Sequence, residues 1–166
     1  ADWEAMASGA GLLAGKPIAE IDVDIRDHEV LVAGEHVNRG YLDPSDDKST
    51  KSVSGGKPWH RTGDAARLDE RGRLWLLGRR EAASGGLFPF AIETAALSWP
   101  GVRQAALLAG DVRAKLALAG DSLDQSALQQ RARQLGPIDV ILLAEVPMDK
   151  RHNSKADYAR LKKMLA

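Results

Sequence analysis

The stretch Trp59-His60-Arg61-Thr62-Gly63-Asp64, followed by the turn Asp69-Glu70-Arg71-Gly72 and by Leu74-Trp75-Leu76-Leu77-Gly78-Arg79-Arg80-Glu81, decides how the rest of the chain is read. Trp59 to Thr62 and Leu74 to Leu77 are predicted as short strands on either side of a turn whose Asp and Gly favour chain reversal. The first strand runs out into a carboxylate beside a glycine, Gly63-Asp64. That pairing suits hydrogen bonding to the two hydroxyls of a ribose, each such charge-assisted bond being worth roughly 1.5–3 kcal/mol; taken alone it equally suits an Asx turn. At the end of the second strand, Arg79 can offer a fork of N–H donors to phosphate or ribose oxygens. Arg80 and Glu81 are then candidates for a hinge, although paired arginines are also common on plain surfaces.

Working outward, the half before Gly78 reads as β. Ile18 to Ile25 alternates, with Ile21, Val23 and Ile25 on one face, and Glu29 to Ala33 returns as a second strand of a hairpin across Arg26-Asp27-His28. Asp43 to Lys57, polar and holding Gly55-Gly56, is predicted as a long surface loop. After Gly78 the pattern becomes α+β: a short helix over Ala91–Leu97 stopped by Pro100-Gly101, strands over Val102–Ala109 and Lys115–Ala119, and a helix opened by a capping box of Ser122 and Gln125. Gly136-Pro137 ends that helix. Val140–Val146 is predicted as the most apolar strand and Ser154–Leu165 as a final amphipathic helix. The boundary is placed at Gly78-Arg79, giving a β-rich unit over 1–77 and a small α+β unit over 78–166 with a three-stranded sheet and helices.

Composition narrows the function classes. At 166 residues, 44% hydrophobic and 28% charged, the chain is sized for one domain or two small ones and is not disordered as a whole. No run approaches the roughly 18 apolar residues of a membrane span. Cys is absent, which removes disulfides and thiolate chemistry and fits a reducing, cytoplasmic setting. The net charge of zero hides an asymmetry: 10 Lys/Arg against 14 Asp/Glu up to Leu77, and 13 against 9 from Gly78 onward. The tail from Lys150 carries six basic residues and one acid, Asp157, which suits an anionic small molecule or simply a solvated basic face. With aromatics at 5% and only Tyr158 among the basic residues of the tail, nucleic acid is not the expected partner. The first residues, Ala1-Asp2-Trp3, show neither an initiator Met nor a basic, apolar leader, so a longer parent polypeptide is expected.

Several motifs fail on inspection. Gly11 to Pro17 and Gly55-Gly56-Lys57-Pro58 lack the spacing of a phosphate-binding loop, and Pro follows each Lys. The four histidines, His28, His36, His60 and His152, have no i, i+4 pairing, so no metal site is expected. No Gly-x-Ser-x-Gly elbow is present. What remains is a third signal, Pro147-Met148-Asp149-Lys150-Arg151-His152-Asn153-Ser154-Lys155, a polar connection between an apolar strand and the last helix. Lys155 near the start of that helix stands where an anion is favoured, or is a solvated lysine.

Together, in this order and spacing, these signals resemble the carboxy-terminal part of the adenylate-forming enzymes, the superfamily of acyl-CoA synthetases, adenylation domains and luciferases. Gly34-Glu35 to Gly40-Tyr41-Leu42 looks like the family's Gly-Glu…Gly-Tyr segment, His60 to Asp64 like its Thr-Gly-Asp motif, Gly78-Arg79 like the start of its hinge motif, and Pro147 to Lys155 like its Pro-x-Asp-x-Arg-His-Asn-x-Lys ending. The resemblance runs from about Gly9 to the end. It implies that residues 1–77 are the last, β-rich subdomain of a large AMP-binding domain and 78–166 the lid domain.

Carried over, the resemblance implies that Asp64 and Arg79 bind the nucleotide, that Arg80 and Glu81 belong to the hinge, and that Lys155 is the catalytic lysine bridging substrate carboxylate and α-phosphate. It implies ATP and Mg2+, a fatty or related carboxylic acid as substrate, and a missing amino-terminal large domain on the same or a separate chain. The phosphate loop and acyl pocket of the family would lie upstream, so the chain alone is expected to be inactive. Two departures stand out: Glu81 where the family has Asp or Lys, and a short Ala82–Phe88 stretch before Ile92-Glu93. The short stretch and the Arg151-His152-Asn153 ending resemble the fatty-acyl ligase and olefin-pathway β-lactone synthetase branches. The alternative is a non-catalytic partner that docks on a separately encoded large domain.

Overall fold

The computed structural model describes residues 1–149 and 155–165. It is α+β, with two sheets in sequence. The first half carries α1 (Asp2–Ala7), β1 (Leu12–Gly15), the hairpin β2 (Asp22–Arg26) and β3 (Glu29–Ala33), α2 (Pro44–Thr50), β4 (Lys51–Ser54), β5 (Lys57–Leu68) and β6 (Leu74–Arg79). These strands form one antiparallel sheet in the order β1-β6-β5-β3-β2, with β4 also paired to β5. Asp27 and His28, at φ 49° and 65°, make the two-residue turn of the β2–β3 hairpin, the geometry that matches the twist of the strands it joins.

A 3-10 turn at Arg80–Ala82 leads into α3 (Pro89–Leu97), β7 (Val102–Leu108), β8 (Ala114–Gly120), α4 (Gln125–Leu135), β9 (Ile138–Leu142) and α5 (Tyr158–Met164). β8 is central, antiparallel to β7 and parallel to β9. Its alternation divides the core. Leu116 and Leu118 face a cluster with Ile92, Trp99, Leu107, Leu128 and Ile138, while Ala117 and Ala119 face Val146 and Leu161 of the α5 side. Large residues on one face and alanines on the other explain why β8 reads as a continuous apolar run: it is covered on both sides.

The two halves touch through α3. Ala91 packs with Ala65 and Leu77 of the first sheet, and Phe88 lies against the same cluster. Gly78 permits this approach: its φ is +119°, and a Cβ there would lie 3.2 Å from the Phe90 amide nitrogen.

Several sequence expectations change. The Ile18–Ile25 strand begins only at Asp22, because Ile21 N–H turns back onto the Ile18 carbonyl at 3.2 Å. Asp43 to Lys57 is not a loop but a capped helix and a hairpin arm. The Asp43 side chain accepts the Ser45 amide and Pro44 takes the first helical turn, where its missing N–H costs nothing. β5 extends well past Thr62. The cap of α4 is Asp124, which accepts the Ser126 and Ala127 amides, and Ser122 lies outside at φ 52°. The last strand covers Ile138–Leu142, and α5 starts after its cap Asp157; Ser154, where that helix was expected to start, lies outside the described residues. No helix among the described residues is long and apolar enough to cross a membrane.

Candidate functional site

β5 changes partner along one edge. Lys57 to His60 pair with β4, and Asp64 to Leu68 pair with β6. Between them Arg61, Thr62 and Gly63 have neither strand beside them on that edge. A side chain fills the gap: Arg79 Nη1 donates to the Thr62 carbonyl at 2.9 Å, replacing a bond that the ladder would otherwise supply. The same nitrogen lies 3.3 Å from Asp64 Oδ1. Asp64 and Arg79 are register partners, so the middle of β5 and the end of β6 deliver a carboxylate and a guanidinium to one place. Their side chains are 42% and 60% exposed respectively, which leaves both open to a ligand.

The backbone of β5 at the gap is set by its own residues. Gly63 has φ +73°, a conformation that an L side chain adopts at a cost. Thr62 Oγ1 donates to the Val30 carbonyl at 3.0 Å and accepts the Asp64 amide at 3.1 Å. Both bonds hold Asp64 from the β3 side of the sheet.

Beside Gly63 lies Glu29, the first residue of β3, whose side chain is 7% exposed. Its Oε2 accepts Arg61 Nε at 3.0 Å, Arg61 Nη2 at 2.6 Å and Arg80 Nη1 at 3.1 Å, and its Oε1 accepts the Gly63 amide at 3.3 Å. Burial alone would raise the carboxyl pKa. The Arg61 hydrogen bonds and charge, the Gly63 amide and the Arg80 charge outweigh it and hold the group below the usual glutamate range.

Of the sequence-derived candidates, Asp64 and Arg79 are brought together, and Arg80 joins them through Glu29. Glu81 is exposed in the 3-10 turn. Lys155 is exposed; its carbonyl accepts the Asp149 amide at 2.8 Å, and the Asp157 amide donates to the Pro147 carbonyl at 2.7 Å. None of the described hydrogen bonds or ion pairs joins the Lys155 side chain to Asp64 or Arg79. The residues 150–154 before it lie outside the described part. A hollow of about 510 Å³ sits at the other end of β5, lined by Lys57, Pro58, Trp59 and His60 among others, and does not include Asp64 or Arg79.

No family model matches the chain. Sequence relatives do. A 2-succinylbenzoate–CoA ligase of Staphylococcus epidermidis is 35% identical over 101 residues, 55% of this chain and 21% of the relative. One from Listeria monocytogenes is 31% identical over 127 residues, 70% of this chain and 27% of the relative. The solved o-succinylbenzoate CoA synthetase of Bacillus subtilis, in complex with its acyl-adenylate intermediate, superposes with a TM-score of 0.72 at 25% identity, over 90% of this chain and 35% of that one. The chain corresponds to the carboxy-terminal part of the adenylate-forming enzymes. It spans about a quarter of the length of these curated relatives, 21% and 27%.

Within this adenylate-forming fold, Glu29 is the site residue that sequence reading missed. Gly34-Glu35 drew the attention, yet Glu35 is exposed and the buried carboxylate is six residues earlier, at the head of β3. The available signal was a single acid opening Glu29-Val30-Leu31-Val32-Ala33, a strand otherwise wholly apolar. No cluster of three or more His, Cys, Asp or Glu among the described residues is arranged to hold a metal ion. The Mg2+ implied by the resemblance is an ion commonly held by one or two carboxylates together with the phosphates of its substrate rather than by such a cluster.

Proposed function

We propose that this chain supplies the ribose-binding end and the catalytic lysine of an ATP-dependent ligase that activates a carboxylic acid, fatty or related, as its acyl-adenylate. The single observation that carries the reading is the Asp64–Arg79 pair at the gap in β5. Asp64, half-exposed, accepts from the ribose hydroxyls. Arg79, whose Nη1 already serves Thr62 and Asp64, keeps further N–H groups of its fork for nucleotide oxygens. Two relatives named as CoA ligases and a neighbour holding an acyl-adenylate support this assignment.

In the reaction a carboxylate oxygen forms a bond to the α-phosphorus of ATP as the bond from that phosphorus to pyrophosphate breaks. Two anions must approach, and charge builds on the phosphoryl oxygens. The Lys155 ammonium, brought to that point, offsets the charge; loss of such a group typically costs on the order of 10²–10³ in rate. Residues 1–77 are assigned to the large domain and 78–166 to the lid that delivers Lys155, with Arg80 and Glu81 at the hinge. The separate sheets of the two halves support that division. The relatives carry this region within a longer chain, which favours a ligase segment over a separately encoded partner.

The test is Asp64→Ala in the complete enzyme. The apparent KM for ATP in acid-dependent ATP–pyrophosphate exchange is expected to rise; an unchanged KM removes Asp64 from the ribose.

A further inference from the structure

We propose that Glu29 is the positioning residue of the Asp64–Arg79 site, fixing both members of that pair by holding a chain neighbour of each. The inference rests on the reading of the pair as the ribose end of a nucleotide site. Its basis is the pattern of donors. Gly63, whose amide bonds Glu29 Oε1, immediately precedes Asp64; Arg80, whose Nη1 bonds Glu29 Oε2, immediately follows Arg79. Asp64 and Arg79 are themselves cross-strand partners. One buried carboxylate therefore ties the two strands together just below the exposed pair, with Arg61 as its third, two-pronged support.

Glu29 touches no ligand in this arrangement and acts through the backbone of Gly63 and the side chain of Arg80. Its charge matters as well as its shape. It stands between two guanidiniums, so Gln in its place keeps an acceptor for Gly63 but leaves Arg61 and Arg80 without a counter-charge. Arg80 would then be free to swing, and the segment carrying Arg79 would lose its fixed register against Asp64.

The experiment compares Glu29→Gln, Arg80→Ala and Asp64→Ala in the complete enzyme by ATP–pyrophosphate exchange, with the thermal midpoint measured alongside. Glu29→Gln is expected to raise the KM for ATP roughly tenfold with kcat changed much less, the signature of lost alignment on the nucleotide. Arg80→Ala, which removes a 45% exposed side chain, is expected to raise it by a smaller factor, and it carries the test if Glu29→Gln does not fold. A lowered midpoint with unchanged KM for ATP in both variants makes Glu29 merely structural and overturns the proposal. Asp64→Ala separates the two ideas. If it raises the KM while the other variants do not, the positioning role alone fails; if it leaves the KM unchanged, the nucleotide reading falls and the proposal with it.

Discussion

The phenol of Tyr158 on α5 donates a 2.6 Å hydrogen bond to Glu93 on α3, and the same carboxylate oxygen accepts the Leu107 amide of β7 at 2.8 Å. Helix α5 follows directly on the loop that carries Lys155, so this bond is one of the ties between that loop and the body of the small α+β unit. Another is Leu161, fully buried against Ala106, Ala117 and Val146. Burial pushes the Glu93 carboxyl above the ordinary glutamate value, more than the Tyr158 and Leu107 bonds pull it down. Burial first, and then the Glu93 charge, pushes the Tyr158 phenol well above its usual range.

A pH dependence follows from Glu93. Below the ordinary value of 4.5 the carboxyl is protonated in folded and unfolded chains alike, and its contribution to stability is fully present. As pH rises through the raised folded value, the native state must hold a buried charge and that contribution is lost. Thermal midpoints of the native chain and Glu93→Gln, compared between about pH 4 and pH 8, should therefore shift in favour of the Gln variant as pH rises. A difference that stays constant with pH would contradict a raised carboxyl.

Tyr158→Phe removes only the hydroxyl. It leaves Glu93 with one donor fewer in a buried setting, a loss of about 1–3 kcal/mol. Urea unfolding of the small unit should show a lower midpoint with an unchanged slope. An unaltered midpoint would mean that water replaces the phenol without cost.

Gly78→Ala tests the contact between the two halves. The added methyl would lie 3.2 Å from both the Phe90 nitrogen and Pro89 Cδ, on a backbone held at φ +119°. A loss of about 1–3 kcal/mol is expected from the strained conformation. The change should also disturb the Ala65–Leu77–Ala91 cluster, visible as shifted methyl resonances of those residues. Native-like stability together with unshifted methyls would show that α3 packs there without needing the glycine.

Much of the second half was legible because its strands are apolar runs and α4 keeps helical spacing, and neither signal depends on distant partners. The Asp64–Arg79 meeting was half legible: the turn at Asp69 to Arg73 places the two residues near each other on adjacent strands, although the bulge at Ala65 and Ala66 that sets the register is silent in the sequence. Helix α2 was hidden by its polar composition, since seven exposed or half-exposed residues give no apolar stripe, only the Asp43-Pro44 cap. Glu29 was hidden for another reason. Its donors come from Arg61, Gly63 and Arg80, 32 to 51 positions away in the chain, and no local pattern announces a partner at that range.

The most direct test of the whole account is acid-dependent ATP–pyrophosphate exchange by the complete enzyme, with and without Lys155→Ala. The account predicts exchange in the native protein and a drop on the order of 10²–10³ in the variant, with ATP binding retained through Asp64 and Arg79. Full exchange in Lys155→Ala would contradict it.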